Sequence, residues 1–170
     1  QLDPAPDVVV MGKPMANGHP VGAVATRPDV MAAFRNAFSY FNTFGGNPVS
    51  AAAALTVLDV IRDEGLQDNA ARVSAHVAER MAALRHPLLR DTRSNGLFFG
   101  AEFILDNGQP ATRFCADLVE AMVASGVLMN VIGAGRNILK IRPPMPFSLE
   151  NADVLMNRLE AALISTPVPA

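Results

Sequence analysis

The stretch VVVMGKPMANGHPVGAV, Val8 to Val24, decides how the rest of the chain is read. Val8–Met11 is a short, β-branched apolar run closed by Pro6-Asp7 on one side and Gly12 on the other. Such a run reads as a strand buried on both faces. Lys13, the only lysine before Lys140, follows at once, in a loop constrained by Pro14, Asn17, Gly18 and Pro20. The end of a buried strand is where α/β proteins place ligands and reacting groups. A lysine shielded there can have its pKa lowered enough to act as an amine nucleophile toward carbonyls. The competing reading is a solvated lysine in a polar loop.

Outward from this stretch, Val21–Thr26 reads as a second strand. Pro28-Asp29 opens a short helix with Val30, Met31, Phe34 and Phe38 at helical spacing. In TFGGNPVSAAAAL, Asn47 is a good N-cap and Pro48 suits the first helical position. Apolar residues cover almost the whole circumference from Val49 to Leu58, as in a helix buried on most sides. Asp59, Arg62, Asp63 and Glu64 bring charge at its end, and Gly65 stops it.

From Leu66 the pattern changes. Leu66, Ala70, Val73, Val77, Met81 and Leu84 form one stripe, opposite Arg72, His76, Glu79 and Arg80, as in a surface helix over a smaller core. Gly96–Leu105 reads as a strand with Leu97, Phe99, Ala101 and Phe103 on one face. A helix through Phe114, Leu118 and Met122 stops at Gly126. Val127–Val131 and Ile138–Arg142 are strands, and Ser148 caps a last helix with Ala152, Leu155, Met156, Leu159 and Leu163 as its stripe. A boundary is expected near Asp63–Leu66. Residues 1–64 then belong to a larger α/β unit and residues 65–170 to a compact α+β unit. A buried strand so soon after Gln1 needs neighbours, which suggests the C-terminal piece of a longer protein.

Composition narrows the classes. The 170 residues are 50% hydrophobic, ample for a core, and Lys+Arg 14 against Asp+Glu 16 gives a net charge of −2. That balance lacks the basic surplus that nucleic acid or an anionic membrane selects. No apolar run reaches the roughly 18 residues of a bilayer span. The single cysteine, Cys115, excludes an internal disulfide and a multi-cysteine zinc site, and fits a reducing, cytoplasmic setting. No His, Cys, Asp and Glu cluster has metal-ligand spacing.

Two further segments carry chemistry. Thr43-Phe44-Gly45-Gly46-Asn47-Pro48 is either a turn with an N-cap or an anion cradle. In the cradle reading, N–H groups at a helix start take a phosphate and the Thr43 hydroxyl adds a hydrogen bond. In ILKIRPPMPFS, Lys140 and Arg142 fall on one strand face. They make either a solvated basic edge or a clamp in which the guanidinium fork takes a carboxylate.

Together and in this order, PDVVVMGKPMANGHPVGAV, FNTFGGNPVSAAAALTVLDVI and ILKIRPPMPFS resemble the class III aminotransferases, pyridoxal-phosphate (PLP) enzymes of fold type I. GKPMANGHP and YFNTFGGNPVS look nearest to the branch of alanine–glyoxylate aminotransferase and ethanolamine-phosphate phospholyase. The resemblance implies an α/β fold: the end of the large cofactor-binding domain followed by the α+β small domain. It implies that Lys13 is the lysine that forms the internal aldimine with pyridoxal 5′-phosphate and shuttles the substrate α-proton. It implies that Thr43 contacts the cofactor phosphate, usually in the neighbouring protomer's site, and that Arg142 binds the substrate carboxylate. The expected partners are an amino donor, a 2-oxo acid and a second copy of the chain, not nucleic acid or a membrane. Elimination of phosphate from an amino-alcohol phosphate is the alternative reaction, and a non-catalytic assembly module is a third reading. In such enzymes the aspartate that holds the pyridine nitrogen and most phosphate contacts would lie before Gln1. Ala16 and Phe44 depart from many relatives without removing a reactive group.

Overall fold

The computed structural model describes residues 5–169. The chain divides into two compact units between Glu64 and Gly65.

In the first unit, β1 (Val8–Met11) and β2 (Ala23–Thr26) pair antiparallel, with Val8 opposite Thr26 and Met11 opposite Ala23. Arg27 forms an ion pair with Asp7 beside this hairpin. Pro28 at the first helical position opens α1 (Pro28–Ala37). The second helix, α2 (Pro48–Asp63), starts where Asn47 accepts the Ser50 backbone N–H at 2.9 Å. This is the N-cap arrangement that satisfies one of the four orphan donors of a helix start.

Burial departs from expectation in this unit. All four residues of β1 are exposed, Val10 at 76%, instead of buried on both faces. The reason is that β1 has a single strand neighbour among the described residues, β2. In α2 only Ala54 is buried, whereas Val49, Leu55 and Leu58 stand exposed. Phe34, Phe38, Tyr40, Phe41 and Phe44 are exposed as well. The composition is that of elements covered on most sides, and the described residues do not provide the cover.

The second unit is a two-layer α+β structure. Its four-stranded antiparallel sheet has the order β3-β4-β6-β5, from β3 (Leu89–Asn95), β4 (Phe98–Phe103), β5 (Asn130–Ile132) and β6 (Ile138–Ile141). Three helices, α3 (Leu66–Ala83), α4 (Thr112–Ala124) and α5 (Leu149–Ser165), contribute to one core with one face of this sheet. Period-two alternation sends Phe99, Ala101 and Phe103 of β4 and Leu139 and Ile141 of β6 inward. They meet Val73, Val77 and Met81 of α3, Phe114, Leu118 and Met122 of α4, and Leu155, Met156 and Leu159 of α5. The helical stripes read from the sequence are therefore the faces that build this core.

Several strand boundaries differ from the reading, and one strand is new. β2 begins at Ala23 and not Val21, β4 ends at Phe103 and not Leu105, and β6 ends at Ile141 and not Arg142. Gly96 takes φ +55° in the turn between β3 and β4, so β4 begins at Phe98 and not at Gly96. Residues 127–129 lie outside β5, which begins at Asn130. Residues 89–95 (LRDTRSN) form a strand the reading did not contain. This edge strand carries Asp91, Arg93 and Asn95 on its outer face and lacks the apolar alternation that marks a half-buried strand.

Three other residues now have clear surroundings. His76 is half-buried and sits 2.7 Å from an Asp153 carboxylate oxygen. Arg80 spans Asp153 and Glu160, tying the polar side of α3 to α5. Cys115 is fully buried, and burial pushes its thiol up to about 12, leaving it an inert core residue.

Candidate functional site

Lys13 leaves the end of β1 in an unusual backbone state. Its φ is +48°, in the left-handed region that a side chain enters at a cost of about 1–3 kcal/mol. A ladder of short bonds holds it there. The Met15 N–H bonds to Gly12 O at 3.2 Å, Asn17 N–H to Pro14 O at 2.9 Å, and His19 N–H to Ala16 O at 3.0 Å. Pro14 fixes the next φ, Ala16 is buried, and Asn17 and Gly18 also adopt positive φ. The loop after β1 is thus a rigid series of turns that dictates where the lysine stem leaves the backbone. Lys13 itself is exposed.

The glycine-rich turn precedes α2. Asn42 organises its first half, with its side-chain oxygen accepting the Phe44 N–H and its carbonyl accepting the Gly45 N–H, both at 3.2 Å. A Cβ on Gly45 would sit 3.0 Å from the Asn42 side chain, so any larger residue would push that side chain aside by a few tenths of an ångström. Gly46 sits at φ +68°, with open space where a Cβ would be. Asn47 secures the second half. Its side-chain N–H₂ donates to Phe44 O at 2.9 Å and to Ser50 Oγ at 3.0 Å. Among the described residues, the N–H groups of Gly46, Asn47 and Val49 and the Thr43 hydroxyl are left without a partner. They form a set of donors at the positive end of a helix.

His19 joins the two features. Its Nε2 lies 2.9 Å from Ser50 Oγ in a part-buried contact across 31 residues of sequence. Ser50 Oγ already accepts from Asn47, so its own proton is free to go to the imidazole. The loop that carries Lys13 is therefore fastened to the N-terminus of α2, next to the turn that carries Thr43.

Arg142 belongs to the second unit, one residue past β6 and before Pro143-Pro144. As expected from strand alternation, it shares the outer face of the sheet with Lys140. Its guanidinium carbon lies 5.2 Å from the centroid of the Phe98 ring. The carboxylates of that face, Asp91 and Glu102, are both engaged by Arg93, at 2.7 and 3.0 Å. Arg142 has no carboxylate partner among the described residues. It also borders a cavity of about 330 Å³ lined by Val127, Leu128, Phe147 and Arg158 among others. No group of three or more His, Cys, Asp and Glu among the described residues can hold a metal ion.

Comparison with known proteins places this architecture. The fold is that of the pyridoxal-phosphate-dependent transferases of fold type I. More narrowly, the chain belongs to the class-III aminotransferase family, whose sequence pattern matches residues 1–163. It is similar to alanine–glyoxylate aminotransferase 2 homolog 2, mitochondrial, of Arabidopsis thaliana, at 39% identity over 93% of the chain and 34% of that protein. Among solved structures it resembles a phospholyase from Arthrobacter in complex with phosphoethanolamine. That match has 40% identity and a TM-score of 0.94, over 97% of the chain and 40% of the other. It also resembles an amine transaminase from an uncultivated Pseudomonas species, in the PLP-bound form, at 27% identity and a TM-score of 0.83, over 96% and 39%. The chain thus spans about a third of the length of the curated relative it matches.

Lys13 and Thr43 lie in the first unit and Arg142 in the second. Sequence reasoning missed His19, Ser50 and Phe98. No sequence signal marked Phe98, because its arginine neighbour is brought beside it only by the pairing of β4 with β6. No spacing rule links His19 to Ser50, since their contact is made by the fold.

Proposed function

We propose that the protein carrying this chain is a pyridoxal-phosphate-dependent aminotransferase that moves an amino group between an amino donor and a 2-oxo acid. The observation that carries this reading is Lys13. It is a lysine in a strained left-handed conformation, in a loop fastened to a glycine-opened helix N-terminus, within a chain of the class-III aminotransferase family.

Pyridoxal phosphate fits the chemistry these residues offer. Its aldehyde suits the Lys13 amine, and its phosphate suits the N–H donors of Gly46, Asn47 and Val49 with the Thr43 hydroxyl. When bound, the cofactor supplies an electron sink for the charge left at the substrate Cα. Lys13 Nζ, once free, is the base that takes the Cα proton and later returns it. Arg142 offers a planar fork of donors that takes the substrate carboxylate bidentately. The Lys13 backbone, fixed before the reaction, avoids spending binding energy on ordering the base.

We propose also that the protein works as a homodimer in a reducing, cytoplasmic setting. The exposed apolar surface of α1, α2 and the Phe38–Phe44 segment supports the first point, and the single, buried cysteine fits the second.

A second reading, elimination of phosphate from an amino-alcohol phosphate, is favoured by the 40% identity to the Arthrobacter phospholyase. Lys13 would serve as base there too, and Arg142 accepts a phosphate as readily as a carboxylate. The intact protein, supplied with L-alanine and a 2-oxo acid in one assay and phosphoethanolamine in another, separates the two. Conversion of L-alanine to pyruvate without phosphate release supports transamination. Free phosphate from phosphoethanolamine alone supports the lyase. Lys13→Ala is expected to abolish either activity.

A further inference from the structure

Phe98 opens β4 on the outer face of the sheet and remains half exposed, at 49%. It contributes nothing to the core, which takes its neighbour Phe99 instead. The pairing of Phe99 with Ile141 puts the next residues outward, Phe98 and Arg142, beside each other on the solvent side. There the guanidinium lies over the ring, 5.2 Å from its centroid.

A free arginine side chain has many rotamers, and an exposed one keeps most of that freedom until something holds it. Two kinds of partner can hold it. A carboxylate does so by occupying the N–H edge, as Asp91 and Glu102 do for Arg93 on the same face. An aromatic ring does so through the flat face of the guanidinium and leaves all five N–H donors free. Arg142 has the second kind, and Pro143 restricts the backbone that bears it.

We infer that Phe98 is a positioning residue for Arg142. It holds the guanidinium over its ring with the N–H donors unpaired, so that they meet the substrate's anionic group. Resting on the reading that Arg142 binds that group, this makes the ring a determinant of affinity for the anion and not of the chemical step. A cation–π contact at an exposed site is worth about 0.5–1 kcal/mol, which corresponds to about two- to fivefold in substrate affinity.

The test uses the intact holoenzyme with whichever of L-alanine and phosphoethanolamine it turns over. Phe98→Leu is expected to raise KM about two- to fivefold with kcat within twofold of the parent and unchanged cofactor content. Phe98→Tyr, which keeps the ring, is expected to restore KM. Arg142→Gln should raise KM by far more than Phe98→Leu. An unchanged KM in Phe98→Leu, with a raised one in Arg142→Gln, would overturn the role of Phe98. So would a loss in Phe98→Leu that falls on kcat, or one that tyrosine fails to rescue. An unchanged KM in Arg142→Gln would instead overturn the reading on which the inference rests.

Discussion

Replacing His19 by alanine probes the link between the Lys13 loop and the start of α2. The contact to Ser50 is 2.9 Å long and part-buried, in the range where one hydrogen bond contributes about 0.5–1.5 kcal/mol. The α2 N-cap survives, because Asn47 Oδ1 still accepts the Ser50 N–H. The bond closes a loop of the fold, so its loss frees the Lys13 segment relative to the phosphate donors. Each cofactor needs a Lys13 loop and a donor turn, from one chain or from two across the proposed homodimer, so the loss is felt wherever both must be held at once. About 1 kcal/mol corresponds to about a fivefold weaker hold on pyridoxal phosphate. Absorbance titration of the cofactor-free intact protein measures this directly. Ser50→Ala, which also removes the Asn47 bond to Ser50 Oγ, should lose at least as much as His19→Ala, and the double variant should be no weaker than Ser50→Ala alone, since the shared bond is already gone. Additive losses, or a cofactor affinity indifferent to His19, would refute the reasoning.

Lys13→Gly is expected to abolish turnover while leaving stability unchanged or raising it by about 1 kcal/mol, because glycine accepts φ +48° freely, with urea unfolding as the measure. His86 stacks on Phe114 at 4.7 Å between ring centroids, and its Nδ1 accepts the Leu88 N–H. Burial holds its pKa below the ordinary 6.5, so the folded state resists the proton that the unfolded chain accepts. The stability this provides is complete above about pH 6.5 and is lost as the pH falls toward the lower folded value. The melting temperature should therefore drop as the pH falls below about 6.5, and His86→Phe should flatten that part of the profile.

The second unit was largely legible in the sequence because it buries its own stripes. Val73, Val77 and Met81, Phe114 and Leu118, and Leu155, Met156 and Leu159 recur at helical spacing and all meet in one core. The β3 strand escaped because an edge strand with Asp91 and Arg93 on its outer face has no apolar period to detect. In the first unit the elements were legible but their burial was not. The apolar content of Val8–Met11 and Val49–Leu58 records a cover that the described residues do not include. For the site, Lys13, Thr43 and Arg142 were marked by their neighbours in sequence, namely Gly12, the paired glycines and the paired prolines. His19, Ser50 and Phe98 act through partners 31 or more residues away, and only the fold brings them into register.

Lys13 as the cofactor-bearing amine is the center of the account, and borohydride reduction of the intact protein loaded with pyridoxal phosphate tests it most directly. Peptide mass spectrometry of the reduced protein should find one pyridoxyl-phosphate group, on the peptide containing Lys13. Lys13→Ala should carry none and should lose the visible absorbance of the loaded protein. Labelling of Lys140 instead, or an undiminished label in Lys13→Ala, would contradict the account.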